Sequence, residues 1–194
     1  MAKRIGVLCI ILGFCCLFSA VGLIAYNQME EKSAEAASAA MLHNVQQITE
    51  TEGKAPAAEY PAEMPTVDVD GNPCIGMLSI PVLELELPVI SEWDYDRLKI
   101  APCRQYGSTK TDDLVIAAHN YASHFGRLAQ LRTGDLLTFT DMDAETILYG
   151  VVTVDVLEPT AVDTVKDSEF DLVLYTCTYG GENRVAVFCD RIVR

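Results

Sequence analysis

A long apolar run near the N-terminus constrains the fold of this chain more than any other feature. Residues 5–26 form a stretch of 22 positions without a charged side chain. At a rise of 1.5 Å per residue, a helix of this length is about 33 Å long, close to the roughly 30 Å hydrocarbon core of a bilayer. We therefore predict that residues 5–26 form a transmembrane helix and that a folded domain lies further along the chain.

The charges on either side of this run predict its orientation. Lys3 and Arg4 precede it, and Glu30 and Glu31 follow it. Because basic residues stay on the cytoplasmic side, we expect residues 1–4 to be a cytoplasmic tail and the rest to lie outside the cell membrane. The alternative is a cleavable signal peptide with a passable cleavage site at residues 20–22, although its apolar region is usually only about 7–15 residues long.

The composition argues against several classes of function. The 194 residues include 28 Asp and Glu against 14 Lys and Arg, a net charge of −14. Nucleic-acid binding and a polybasic hold on anionic lipid both need a basic surface, which this balance disfavours. Hydrophobic residues make up 50% of the sequence, enough for one packed core.

The segment between the apolar run and the folded domain is typical of a stalk. Residues 33–48 are rich in alanine and could form a helix with a thin apolar stripe. Three prolines then favour an extended spacer, because proline interrupts helices. They are Pro56, Pro61 and Pro65. We therefore expect an extracytoplasmic stalk over residues 27–71.

The remaining residues, 72–194, predict an all-β domain. Apolar and polar residues alternate in several short runs, as in half-buried strands. The predicted strands are 77–80, 83–87, 114–118, 136–140, 146–157, 172–176 and 184–193. One short helix is expected at 125–131. Seven or eight short strands with little helix favour a closed or nearly closed β-barrel.

Three polar residues at predicted strand ends are candidates for chemistry. Cys177 ends one strand, a loop with two glycines follows, and Arg184 opens the next strand. If these strands pair antiparallel, the guanidinium returns beside the thiol, where it would favour the thiolate and donate to an oxyanion. His119 ends another strand, where its imidazole could exchange protons with the thiol or with a leaving amine.

Each of these residues also has a simpler interpretation. A free cysteine is usually a small buried hydrophobe, and an isolated arginine is usually a surface charge. His124, in the loop after His119, is the alternative candidate for the base. The histidines and cysteines lack the spacing of zinc ligands, so we expect neither a metal nor another cofactor.

The acidic turns and the other cysteines are expected to be structural. Residues 68–71 and 141–143 resemble fragments of calcium loops, but neither has the later glutamate of such a loop, so plain turns are favoured. A disulfide between Cys74 and Cys103 is one option. Cys189, within the last strand, is expected to be a packed residue.

Several segments together resemble a known family. Residues 174–177, Leu-Tyr-Thr-Cys, match the motif Thr-Leu-x-Thr-Cys, with Val173 in place of the first threonine and Arg184 several residues on. Residues 117–120 match a segment around a histidine, with alanine where glycine is usual. The opening strands, 75–81 and 85–89, are similar too. On these motifs the chain resembles the sortases, membrane-anchored cysteine transpeptidases of Gram-positive cell surfaces.

The resemblance implies a fold and a reaction. The fold is an eight-stranded β-barrel with one or two short helices. Cys177 would attack within a C-terminal sorting signal resembling Leu-Pro-x-Thr-Gly on secreted proteins, forming a thioacyl enzyme. His119 would protonate the leaving amine and deprotonate the incoming one. Arg184 would hold the substrate and stabilise the oxyanion, and Thr176 would add a backbone or hydroxyl contact to the substrate.

The acceptor and the outcome of the reaction stay open. The acceptor amine would belong to a peptidoglycan precursor or to a pilin lysine. Because the sequence contains neither a second span nor an aromatic Asp-Pro lid in the stalk, protein anchoring is favoured over pilin polymerisation. The alternatives are a cysteine peptidase that transfers the acyl group to water and a catalytically silent adhesin.

Overall fold

The computed structural model of the chain describes residues 2–52 and 63–192. It divides into two compact units, Met1–Ser33 and Ala34–Arg194. Two of the three stalk prolines, at positions 56 and 61, lie outside the described residues, and so does most of the predicted extended spacer.

The first unit is helical. It belongs to helix α1, Ala2–Glu52, which contains the predicted transmembrane segment. Apolar side chains such as Ile10, Leu17 and Leu23 are more than half exposed along it. By length and composition α1 is a candidate membrane span.

The part of α1 within the second unit packs against the barrel. Ala34, Ser38, Met41 and Val45 are buried, with at most 4% of each residue exposed. Their spacing of three or four residues places them on one face of the helix. Met41 and Val45 share an apolar cluster with barrel residues that include Ile90. The thin apolar stripe of the predicted stalk therefore packs against the domain instead of facing solvent.

The second unit contains a closed β-barrel. Eight strands follow one another in the order β2-β3-β4-β5-β8-β9-β7-β6, and β6 pairs with β2 to close the ring. A ninth strand, β1, extends β2 through a hairpin. The strands are β1 Val67–Val69, β2 Asn72–Ile80, β3 Leu85–Ile90, β4 Cys103–Tyr106, β5 Leu114–Ala117, β6 Leu136–Asp141, β7 Thr146–Leu157, β8 Leu172–Cys177 and β9 Arg184–Arg191. The predicted eight-stranded barrel is confirmed.

The sequence predicts most of these strands and misses β1, which has three residues, and β4, which has four. In β4 the residues Cys-Arg-Gln-Tyr show no clear alternation, and its parallel pairing with β3 involves one residue pair, Ile90 and Cys103. The helix expected at 125–131 is a single 3-10 turn, Leu128–Gln130. A short helix that the pattern did not predict, α2 (Val162–Lys166), lies between β7 and β8.

The buried cysteines are free thiols. Cys74 and Cys103 both pair with Ile90, one on each side, so their Cα atoms are two strand spacings apart, about 10 Å. A disulfide needs a Cα separation below about 7 Å, which excludes this pairing in the observed register. Burial raises the pKa of each thiol to about 12. Cys189 is fully buried in the core, as predicted.

The two acidic segments form turns. Asp70 and Gly71 have positive φ angles, 52° and 81°, and make the hairpin between β1 and β2. The turn between β6 and β7 forms ion pairs with a lysine. The ammonium nitrogen of Lys110 lies 3.1 Å from Oδ2 of Asp141 and 3.2 Å from Oε2 of Glu145. Because Asp141 is fully buried, this contact gives a buried carboxylate its counter-charge.

Candidate active site

Cys177 and Arg184 are neighbours across an antiparallel pair. Cys177 is the last residue of β8, Arg184 is the first residue of β9, and the two are direct Cα partners. Directly opposed residues in such a pair place their side chains on the same face, with Cβ atoms about 5 Å apart. The register thus brings the thiol beside the guanidinium.

His119 lies near the same end of β8 as Cys177, on the side of β8 that faces β5. Strands β5 and β8 pair in parallel with a constant register, in which Ala117 is opposite Tyr175. Hydrogen bonds continue this offset past the strand ends: Thr176 Oγ1 donates to the Ala118 carbonyl at 2.8 Å, and Asn120 Nδ2 donates to the Thr178 carbonyl at 3.4 Å. His119 therefore lies beside Cys177, about one strand spacing away.

The three side chains share the outer face of the barrel. Successive side chains of a strand point to opposite faces. On β8, Leu172 and Leu174 pack in the barrel interior, so the odd-numbered residues Val173, Tyr175 and Cys177 face outward. The same alternation places His119 and Arg184 outside. All three candidate residues are half-buried.

The Thr176 hydroxyl is engaged within the barrel, and a backbone contact of Thr176 with the substrate stays a prediction. Thr176 is only 3% exposed, and its hydroxyl is used in the hydrogen bond to the Ala118 carbonyl. The side chain therefore ties the end of β5 to the end of β8. It does not present its hydroxyl at the outer surface beside Cys177.

The loop between β8 and β9 holds the guanidinium of Arg184. Its Nη1 donates to the carbonyls of Gly181, at 3.1 Å, and Asn183, at 3.0 Å. Gly180 and Gly181 adopt positive φ angles of 95° and 79°, which favour glycine, so the two glycines serve this tight turn. Nε and Nη2 make no hydrogen bond to the described part of the chain and stay available as donors.

A cavity of about 190 Å³, here called the rim groove, opens beside Arg184. Its lining residues come from β4, the end of β7, the loop with α2, and β8. They are Gln105, Tyr106, Leu157, Glu158, Pro159, Ala161, Val165, Tyr175 and Arg184. Their mixture of apolar and polar side chains suits an extended peptide.

Tyr175 provides a large part of this groove and was missed by sequence reasoning. In the observed register it lies between two alanines, Ala117 on β5 and Ala186 on β9, which leave room for its ring. Burial raises the pKa of the phenol, and the nearby Arg184 acts in the opposite direction. The sequence signal was its place two residues before Cys177, but its small neighbours are known only from the register.

His124 lies inside the protein. The residue is fully buried, and neither ring nitrogen has a hydrogen-bond partner among the described residues. Burial lowers the pKa of its imidazole to about 4, so the ring is neutral at neutral pH. A fully buried ring is poorly placed to exchange protons with a substrate at Cys177.

Comparison with known proteins gives the family. A model described as the sortase domain matches residues 78–192. This chain belongs to the sortase family. Membership implies a cysteine transpeptidase and confirms the resemblance in the sequence motifs. No curated protein matches the chain at significant similarity.

Solved sortase structures resemble the chain over most of its length. Sortase C1 from Streptococcus suis is 28% identical, with a TM-score of 0.55 over 62% of this chain and 74% of that one. Sortase C-3 from Streptococcus pneumoniae is 22% identical, with a TM-score of 0.57 over 84% and 85%. Sortase A from Corynebacterium diphtheriae is 19% identical, with a TM-score of 0.57 over 92% and 96%. The latter two similarities show the sortase fold.

Proposed function

We propose that this sortase cleaves a C-terminal sorting signal resembling Leu-Pro-x-Thr-Gly and transfers the acyl group to an amine at the cell surface. The observation that carries the proposal is that His119 follows the end of β5, Cys177 ends β8 and Arg184 opens β9, with β8 paired to both of the other strands. A thiol, a proton carrier and a donor of hydrogen bonds at one point are the groups that acyl transfer needs.

In the first half-reaction the Cys177 sulfur, as thiolate, attacks the carbonyl carbon between the threonine and the glycine of the signal. The free donors of Arg184, Nε and Nη2, stabilise the negative oxygen of the tetrahedral intermediate. His119, as imidazolium, gives its proton to the leaving amine while the carbon–nitrogen bond breaks. The product is a thioester on Cys177 and a neutral imidazole.

In the second half-reaction an incoming amine attacks the thioester carbon. The neutral His119 takes a proton from the amine, an amide bond forms, and the carbon–sulfur bond breaks. The thiolate and the imidazolium are thereby restored. Because the catalytic pair ends as it began, the reaction needs no cofactor.

The rim groove supports binding of the signal in an extended conformation. Its lining residues include Arg184, Tyr175 and, on β4, Tyr106. Apolar side chains such as Val165 of α2 can pack against the leucine and the proline of the signal. Because Arg184, which lines the groove, is the direct strand partner of Cys177, a signal bound there would have its threonine–glycine bond near the sulfur.

The candidate membrane span in α1 supports a location at the cell surface. We assign residues 1–4 to a cytoplasmic tail, 5–26 to a single-pass anchor, 27–71 to the extracytoplasmic segment and 72–194 to the catalytic domain. Part of the extracytoplasmic segment packs on the barrel, so the tether is shorter than an extended stalk of that length. An outward-facing, tethered enzyme meets its secreted substrates and the cell-wall amines on the same side of the membrane.

The decisive experiment uses the full chain in detergent micelles with a library of sorting peptides, with and without a primary amine. Mass spectrometry should detect an amide product that depends on the amine. Cys177→Ala should abolish it, while Cys189→Ala, which truncates a buried core thiol, should keep activity in the folded fraction. Product from Cys177→Ala would refute the proposal.

The same experiment separates the alternatives. Release of the free acid in the presence of amine would indicate a peptidase. Failure of an electrophilic sorting peptide to label Cys177 would indicate a silent adhesin.

Pilin polymerisation is the second candidate for the acceptor, because the 28% identical relative is a sortase C. A polymerising enzyme would produce covalent ladders of high mass in cells that express it, and an anchoring enzyme would produce single wall-linked proteins. Immunoblots of cell-wall extracts distinguish the two outcomes.

A further inference from the structure

Three aromatic rings lie in contact beside the candidate site. The centroid of the Tyr121 ring is 5.0 Å from the centroid of His119, with an interplanar angle of 40°. The centroid of the same Tyr121 ring is 5.5 Å from the centroid of His124, with an interplanar angle of 56°. Both distances lie within the range of favourable aromatic pairs. Tyr121 thus contacts both the candidate catalytic imidazole and a buried one.

The loop that carries these rings is tightly closed by its own backbone. The amide of Phe125 donates to the His119 carbonyl at 3.1 Å, and the amides of His124 and Gly126 both donate to the Tyr121 carbonyl at 2.9 Å. A Cβ atom on Gly126 would lie 2.4 Å from the Asn120 carbonyl oxygen. Because these close contacts involve backbone atoms, the loop has little freedom to shift.

His124 forms the fixed end of the stack. It is fully buried, it lies near the backbone of Ala34 in α1, and its neighbour Phe125 belongs to the barrel core. Since burial lowers the pKa of His124 to about 4, its ring is uncharged at neutral pH and does not repel a protonated His119. A buried, neutral ring is a rigid surface against which Tyr121 can be held.

His119 needs such support because it lies beyond the end of its strand. Strand β5 ends at Ala117, so the ladder with β8 positions the backbone near His119 but does not by itself fix the rotamer of the imidazole. Acyl transfer requires this ring to face both Cys177 and the reacting amine. An error of about 1 Å in such a geometry can cost about 100-fold in rate.

We propose that Tyr121 is a positioning residue for the imidazole of His119, held against it by the buried ring of His124. This inference rests on the proposed function, in which His119 is the group that transfers protons. The contact on which this inference rests is the one between the two rings. A phenylalanine should therefore replace it, whereas a branched aliphatic side chain should not.

The kinetic test compares three variants of the full chain in micelles. Tyr121→Leu should lower kcat for acyl transfer by about 10- to 100-fold with little change in KM, and Tyr121→Phe should stay within about threefold of the parent. Leu128→Ala is the control for a purely structural effect, because Leu128 is fully buried in the core of the same loop region and outside the stack. It should lower Tm and leave kcat per folded molecule unchanged.

A second measurement needs no substrate. The chain has three histidines, so the ring protons of His119 can be followed by NMR with ¹³C-labelled histidine and assigned with His43→Gln. The Tyr121 ring current should displace the His119 signals in the parent and in Tyr121→Phe. In Tyr121→Leu the displacement should disappear, while Leu128→Ala should retain it.

These outcomes distinguish a failure of the positioning role of Tyr121 from a failure of the proposed function. Equal kcat values for Tyr121→Leu and the parent, or a Tyr121→Phe variant as slow as Tyr121→Leu, would overturn the positioning role. His119 signals that do not respond to Tyr121→Leu would overturn it too, even without a substrate. If the parent transfers no acyl group while the NMR shifts behave as expected, the proposed function fails and the ring contact stands.

Discussion

Thr176→Val tests whether the hydrogen bond between β5 and β8 sets the geometry of the site. The Thr176 hydroxyl is buried and donates to the Ala118 carbonyl at 2.8 Å, one residue before His119 and one before Cys177. Valine has nearly the same shape but no donor. The substitution therefore removes this link without opening a cavity.

The expected magnitude follows from the burial of the pair. A buried neutral hydrogen bond whose acceptor is left unsatisfied costs about 1–2 kcal/mol in the free energy of unfolding. For a folded unit of this size, Tm should fall by about 2–8 °C. Because the link holds the strand ends that carry His119 and Cys177, kcat for acyl transfer should also fall, by about 10-fold.

The assay measures Tm and kcat on the same preparations, with Thr138→Val as the matched control. Thr138 is on β6, is half-buried, and its hydroxyl makes no hydrogen bond to a described residue. The control should change the free energy of unfolding by less than about 0.5 kcal/mol and leave kcat unchanged. A Thr176→Val protein with lower Tm but full kcat would refute the link between this hydrogen bond and the site geometry.

Three further predictions concern the guanidinium, the buried histidine and the loop glycine. Arg184→Ala should lower kcat by about 100- to 1000-fold in peptide assays. Arg184→Lys should recover only part of the loss, because an ammonium cannot keep the hydrogen bonds to the loop carbonyls and also donate to the oxyanion. Full activity in Arg184→Ala would contradict an oxyanion role. Because burial lowers the pKa of His124 from 6.5 to about 4, the unfolded chain binds more protons between these values, so stability should fall as the pH drops from 6.5 to 4, by up to about 3 kcal/mol. Urea unfolding across this range should show the slope, and His124→Phe should flatten it; an unchanged slope would contradict the assignment. Gly126→Ala should lower the free energy of unfolding by about 1–3 kcal/mol, since its Cβ would meet the Asn120 carbonyl, and a neutral result in thermal unfolding would refute the close packing.

Local properties of the sequence were sufficient for several features. The apolar run at 5–26 has the length of a membrane span, and the alternation in segments such as 172–176 follows from one buried and one outer face. The motif around Cys177, together with the segment around His119, is enough to indicate the family. These features depend on neighbouring residues, so a pattern can report them.

Other features were beyond the reach of any local pattern. The stripe on residues 34–45 of α1 is too thin to predict whether it meets solvent or the barrel, and β4 is too short and irregular to be recognised. Thr176 was expected at the substrate surface, but its place in the strand alternation turns it inward. Its burial depends on the barrel interior, which exists only after the strands close.

By itself the sequence determined the candidate membrane span, the strand-rich domain and the identities of the candidate site residues, because each is encoded within a few consecutive positions. Only the tertiary structure decided that the ends of β5 and β8 and the start of β9 bring His119, Cys177 and Arg184 together, and that Tyr121 contacts two imidazoles. The physical reason is strand register. A shift of one residue between β5 and β8 would move His119 to the other face relative to Cys177, and register is set by the packing of the whole barrel.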